Sequence, residues 1–193
     1  LSQIFVAISF IVIFKFASEI FEDKLLALFS VLILEGIFYY NFTTPEFNVN
    51  ISQLPFWSLT IYYSWKIYNS EFAKFKNFFL LGIFASIGVL SKYLFFYLLI
   101  SLFILFLYAF IKYKKKLRFE YFFTLEVFCV LLLPHILWLF SNDFITINYA
   151  LNRASINEVE LIDHIKLPLI FITKQIVLLI PFLFLLWLLV KTP

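Results

Sequence analysis

The sequence predicts an all-α fold: a polytopic bundle of about seven transmembrane helices, with a short extracytoplasmic helix or connector. Of its 193 residues, 64% are hydrophobic and only 14% are charged, and the mean hydropathy is +0.99. A soluble core does not need this much apolar surface. Apolar runs close to the length that crosses a bilayer, about 20 residues, recur along the chain. The composition indicates an integral membrane protein and argues against a nucleic-acid-binding domain.

Seven apolar segments predict the spans in order. They are residues 1–20, 25–40, 51–68, 75–91, 93–111, 120–140 and 168–190. Most of the 15 basic residues fall in turns that strict alternation of the spans places on one side, which the positive-inside rule makes cytoplasmic. Residues 41–50, Lys92, the end of the sixth span and residues 141–167 are then predicted to lie on the extracytoplasmic side.

The first extracytoplasmic segment, NFTTPEFNVN at residues 41–50, is a polar island between two apolar runs. Pro45 stops a helix because it has no N–H to donate. Hydroxyl, carboxylate and amide groups follow at once, and Thr44, Glu46 and Asn48 are candidate substrate-binding residues.

The third span carries a polar stripe. Gln53, Trp57, Thr60 and Ser64 follow at steps of four, three and four, so they share one helical face. A polar stripe in lipid should face protein or water. Both hydrogen bonding between helices and the wall of a cavity fit the pattern, and Gln53 is a candidate site residue.

The fourth and fifth spans are joined at Lys92 with almost no loop. Ala85, Gly88 and Lys92 share a helical face, where small residues allow another helix or a ligand to approach. Lys92 either extends its ammonium to the interface or forms an anion site.

Further polar candidates cluster at the end of the sixth span and beyond it. His135 and Asn142 lie on one side of that helix and Asp143 closes it, while Arg153 lies on a surface helix and Gln175 in the outer third of the last span. Packing of a buried histidine and solvated surface charge are the simpler explanations. Metal-ligand spacing such as HExxH is absent from the sequence, so no metal and no cofactor is expected.

Four segments together resemble one family. They are TPEFNVNISQLPFW (44–57), GVLSKYLFFYLL (88–99), PHILWLFSNDFITINYALNRA (134–154) and KLPLIFITKQIVLLIP (166–181). They are similar to the bacterial branch of the dolichyl-phosphate-mannose-protein mannosyltransferases. These polytopic type C glycosyltransferases include the aminoarabinose transferases of lipid A and the galacturonosyltransferases of the lipopolysaccharide core.

The resemblance implies transfer of one sugar, with inversion, from a polyprenyl-phosphate carrier to a lipid, glycan or protein acceptor outside the cytoplasmic membrane of a bacterium. It implies that the catalytic carboxylate lies upstream of the matched residues, in a loop that this chain does not include. The chain, which starts at Leu1, is therefore expected to be part of a single multi-span domain that continues at both ends. Glu46 stands where relatives often have Asp in a Thr-Pro-Asp motif, and Lys92 is a candidate contact for the carrier phosphate.

A transporter or lipid-linked-sugar flippase is the alternative, because it too would be polytopic with isolated intramembrane charges. Transporters often contain repeated halves with broken helices near the membrane midplane. The sequence shows no internal repeat, and its polar groups collect at one face, which favours the transferase.

Overall fold

The computed structural model describes residues 1–37, 40–41, 44–70, 72–114, 118–154 and 162–190. In these ranges the chain forms eight α-helices and no strand, which confirms the all-α prediction. The helices are α1 (Ser2–Phe21), α2 (Lys24–Leu34), α3 (Val49–Asn69), α4 (Phe75–Ser91), α5 (Phe96–Tyr113), α6 (Glu120–Ser141), α7 (Ile145–Ala154) and α8 (Asp163–Val190), with a 3-10 turn (Tyr93–Phe95) before α5.

Helix α3 lies at the centre of the packed helices. α1 and α4 pack against it, α6 packs on the other side of α4, and α2 packs on α1. α8 contacts α2, where a Cβ added at Gly36 would lie 2.7 Å from the Cα atom of Phe182. α8 otherwise presents apolar side chains outward, as a helix surrounded by lipid does.

Among the described residues, four helices are long and apolar enough to cross a membrane: Ser2–Phe21, Tyr93–Tyr113, Glu120–Ser141 and Asp163–Leu188. The prediction of seven spans is not confirmed. α2 has 11 residues and is about 16 Å long, against about 30 Å of hydrocarbon. α4 has 17 residues, and α3 is long enough but too polar.

The small residues of α4 allow another helix to approach, as predicted, but they leave no space for a ligand. A Cβ added at Gly82 would lie 2.8 Å from the carbonyl oxygen of Thr124, so this glycine admits α6. A Cβ added at Gly88 would lie closer than 3.0 Å to three atoms of the Phe95 ring. The space beside Gly88 is therefore filled by a side chain of the same protein and is not open to a ligand.

Polar segments that are distant in sequence meet at one end of the bundle, which we call the loop end because it contains residues 44–48. Lys92, after α4, contacts Asn50 at the start of α3. Tyr93 contacts His135 near the end of α6 and Thr146 in α7. These contacts bring Lys92, Asn50 and His135 to the same end of the bundle, and the side of the membrane on which they lie stays a prediction.

Candidate functional site

A groove runs from the loop end between α1, α3 and the start of α5, and its volume is about 620 Å³. Ligand cavities in proteins commonly have volumes of about 300–1,000 Å³. The groove is lined by Ile13, Phe16, Ile37, Tyr40, Asn50, Gln53, Leu54, Trp57, Ser58, Ile61, Lys92, Leu94 and Tyr97.

The lining of the groove divides along its length. Asn50, Gln53 and Lys92 lie at the loop end, and below them the walls are mainly aliphatic and aromatic. Along α3 the lining extends from Asn50 to Ile61, a distance of about 16 Å at 1.5 Å per residue. That is about half of the 30 Å hydrocarbon core. The groove has the shape and polarity to take an apolar chain through one leaflet with its polar head at the membrane surface.

Lys92 is the charged group of the groove. Its Nζ donates to Asn50 Oδ1 at 2.5 Å, and the described residues place no carboxylate within ion-pair distance of it. Lys92 is the single residue between α4 and the 3-10 turn, and its backbone is extended, with φ −164° and ψ 129°. Because the junction is this short, Lys92 does not lie in a long solvated loop. The ammonium thus has a neutral partner and no counter-ion.

Trp57 forms part of the groove wall and is held from two sides. Its indole N–H donates to Gln53 Oε1 at 3.1 Å, and its ring meets the Phe95 ring edge to face, with centroids 5.5 Å apart. Phe95 is fully buried and occupies the space beside Gly88. The upper half of the α3 stripe is therefore a cavity wall, as one interpretation of the sequence proposed.

The lower half of the stripe differs. Thr60 and Ser64 are buried, and their hydroxyl oxygens have no hydrogen-bond partner in the part of the chain that the structure describes. They do not form the hydrogen bonds between helices that the other interpretation proposed.

Tyr40 closes the groove on the side of α1. Its ring stacks on Phe10 with centroids 5.7 Å apart, and burial raises the pKa of Tyr40 to about 12. The phenol therefore stays protonated at neutral pH and keeps its hydrogen-bond donor.

The loop candidates have separate roles. Asn48 caps α3, since its side chain accepts from the backbone N–H groups of Asn50 and Ile51 at 2.9 and 3.2 Å. Thr44 is buried and donates its hydroxyl to Asn41 O at 2.8 Å. These contacts are structural, whereas Glu46 is exposed and its carboxylate is free to meet a ligand.

His135 belongs to a second polar cluster at the loop end. Its Nε2 lies 2.7 Å from the Tyr93 hydroxyl, which also lies 2.9 Å from Thr146 Oγ1. The His135 ring stacks on Trp138 with centroids 5.8 Å apart. The network connects α6 and α7 to the turn that follows Lys92. It therefore stabilises the position of that turn, although its residues do not line the groove.

Asn142, Asp143 and Gln175 lie outside both clusters. Asn142 donates to Trp138 O at 2.8 Å and closes α6, and Asp143 lies in an exposed left-handed turn with φ 48°. Gln175 is exposed on α8 and does not line the groove. The backbone of Arg153 belongs to α7, but its side chain lies outside the described residues.

Three residues that contact the candidate site residues are not predicted by the sequence. Asn50 was noted only as part of the polar loop, yet it holds Lys92. Tyr93 and Thr146 were not singled out, although a histidine in an apolar span needs a hydrogen-bond partner. The alternation of the spans places Tyr93 at the same end as His135, and that was the available signal.

A polar contact also joins α1 and α3 at the end opposite the loop. Tyr62 donates its hydroxyl to Glu19 Oε1 at 2.6 Å, and Lys66 Nζ lies 3.3 Å from the same oxygen. Tyr62 is buried against the rings of Phe16 and Trp65. This contact fixes the two long walls of the groove to each other at the end away from Lys92.

Comparison with known proteins identifies a family for this chain. The family model for the dolichyl-phosphate-mannose-protein mannosyltransferases matches residues 1–138, which include every residue that lines the groove. No curated protein and no solved structure matches the chain.

Proposed function

Because the chain belongs to the dolichyl-phosphate-mannose-protein mannosyltransferase family, we propose that it transfers one sugar from a polyprenyl-phosphate carrier to an acceptor at the extracytoplasmic face of the membrane. The acceptor is a lipid, a glycan or a protein. The observation that carries the proposal is the groove, which offers an apolar path through one leaflet with a single ammonium at its polar end.

The groove suits a carrier of this kind because tail and phosphate require different surroundings. The tail lies among the apolar walls, and the phosphate lies beside Lys92 at the loop end. A phosphate oxygen at about 4 Å from the ammonium gains roughly 4 kcal/mol of Coulomb energy at an effective dielectric of 20, before desolvation. Lys92 thereby acquires the counter-ion that it lacks.

The same ammonium serves the chemical step. In an inverting displacement the acceptor oxygen attacks the anomeric carbon while the bond from that carbon to the phosphate oxygen breaks. The polyprenyl phosphate leaves with the bonding electron pair, and the acceptor proton passes to a carboxylate base. Negative charge grows on the leaving phosphate, where a fixed cation in a site of low dielectric stabilises it.

The loop end is assigned to the extracytoplasmic side of the cytoplasmic membrane. Lys74, Lys76, Lys112 and Lys114 lie at the opposite end of the bundle, which the positive-inside rule makes cytoplasmic. The carrier sugar then faces the exposed carboxylate of Glu46, which we assign to binding sugar hydroxyls or to orienting the acceptor.

Replacement of Lys92 tests the carrier site. Lys92→Met keeps the length of the side chain and removes the charge, and we expect affinity for a polyprenyl-phosphate sugar to fall by about 10- to 100-fold, at about 1.4 kcal/mol per factor of ten. Titration of the protein in lipid nanodiscs measures it. Lys174→Met is the matched control, because Lys174 is exposed on α8 away from the groove.

Near-native affinity of folded Lys92→Met would contradict the assignment.

A flippase is separated from a transferase by the product formed in sealed vesicles. A transferase yields acceptor linked to sugar, whereas a flippase moves the intact donor between leaflets.

A further inference from the structure

Lys92 and Trp57 determine how two amide side chains of the groove are oriented. The lysine ammonium and the indole N–H are hydrogen-bond donors only. The atoms that they contact, Asn50 Oδ1 at 2.5 Å and Gln53 Oε1 at 3.1 Å, must therefore be the amide oxygens.

With both oxygens occupied, each amide keeps its NH2 group as a hydrogen-bond donor, and both residues line the groove. In the described part of the chain neither Asn50 Nδ2 nor Gln53 Nε2 takes part in a side-chain hydrogen bond. The two residues are three positions apart on α3 and so share one face of the helix. The loop end of the groove is thus lined by three residues that carry two NH2 groups and one ammonium as donors.

The surroundings of these donors favour an anion. The described residues that line the groove include no aspartate or glutamate. Asn50 lies in the first turn of α3, where the positive end of the helix dipole favours negative charge. Donors that converge on an oxygen-rich anion form charge-assisted hydrogen bonds, which are stronger than neutral ones.

We propose that the amide nitrogens of Asn50 and Gln53, together with the ammonium of Lys92, bind the phosphate oxygens of a lipid phosphate monoester or diester in the groove. Trp57 is a positioning residue, because its N–H holds the Gln53 amide in the orientation that the phosphate needs. The inference rests on the proposed function and deepens it, since it states which groups recognise the carrier head.

Two charge substitutions test the amides. Asn50→Asp and Gln53→Glu each keep an oxygen for the internal hydrogen bond, remove the NH2 donor and add a negative charge. We expect each to weaken binding of farnesyl phosphate by about tenfold or more, which is about 1.4 kcal/mol. Binding of farnesol, which has the same tail without the phosphate, should stay unchanged.

Ser52→Asp is the matched control, because it places the same charge in the first turn of α3 at a residue that does not line the groove. An equal loss in Ser52→Asp would show a general field effect and overturn the inference. Trp57→Phe keeps an aromatic ring and removes only the N–H. It should lower the preference for farnesyl phosphate over farnesol, whereas a merely structural role would change both affinities alike.

The outcomes separate the inference from the proposed function. One outcome would overturn the inference alone: wild type prefers farnesyl phosphate, Lys92→Met abolishes the preference, and Asn50→Asp and Gln53→Glu retain it. In that case the amides do not bind the phosphate, but the carrier site at Lys92 is supported. If wild type binds farnesol as well as farnesyl phosphate, both proposals fail. Inorganic phosphate that displaces farnesyl phosphate at equal concentration would show a site for free anions and overturn the lipid assignment. Should Asn50→Asp not fold, Gln53→Glu decides alone.

Discussion

Replacing Gly88 with alanine should destabilise the protein, although alanine is the better helix former. The added Cβ would lie closer than 3.0 Å to three atoms of the Phe95 ring. Phe95 is fully buried and packs with Val89, Leu98 and Leu132, so the ring has no free space in which to move.

The size of the effect follows from two opposing terms. Overpacking of a filled core costs about 1–3 kcal/mol, and exchanging glycine for alanine inside a helix returns about 1 kcal/mol. We expect a net loss of about 1 kcal/mol, which lowers the melting temperature by about 2–4 °C for a chain of this size. Phe95 also follows Lys92 by three residues, so its displacement should weaken binding of farnesyl phosphate.

Thermal unfolding in detergent, followed by circular dichroism, measures the change. The double variant Gly88→Ala with Phe95→Leu should recover part of the loss, because leucine vacates the ring atoms that the new Cβ meets. A coupling energy of at least about 0.5 kcal/mol between the two sites is expected for residues in contact. A higher melting temperature in Gly88→Ala, or strict additivity in the double variant, would refute the packing argument.

Two further predictions concern the orientation and the loop. In a Cys129→Ser background, a cysteine that replaces Lys114 should react with an impermeant reagent only after the cells are opened. A cysteine that replaces Glu46 should react in intact cells. The reverse pattern would show that the proposed topology is inverted. In the full-length protein, Glu46→Gln should slow sugar transfer by about tenfold or more, since a hydrogen bond to a charged group contributes about 1.5–3 kcal/mol. If turnover of Glu46→Gln equals that of wild type, Glu46 is ordinary loop surface.

The helices were largely predictable from the sequence because an apolar run in a membrane has few alternatives to a helix. α1, α4, α5 and α6 match the predicted segments within a few residues. The prediction failed for α2, which ends at Leu34 rather than residue 40. Gly36 packs against α8 at this point, and the sequence of α2 alone does not reveal that contact.

The residue types of the candidate site were predictable from the sequence, but the hydrogen-bonded pairs that they form were not. Lys92 was identified from its position in a junction without a loop, yet its partner Asn50 lies 42 residues away. His135 was identified as a polar residue in an apolar span, and its partner Tyr93 is equally distant. Such pairs depend on the packing of α3, α4 and α6, which hydrophobic periodicity does not specify.

The depth of the groove has a consequence for selectivity. Leu94 and Tyr97 line it and are themselves 50% and 68% exposed, so the carrier lipid that we propose would enter sideways from the bilayer. Its tail then exchanges one hydrocarbon environment for another, and little hydrophobic free energy is gained, because lipid tails are as apolar as leucine. Discrimination among the lipids of the membrane must come from the few polar atoms at the top of the groove, where a ligand leaves water and meets the donors of α3 and Lys92.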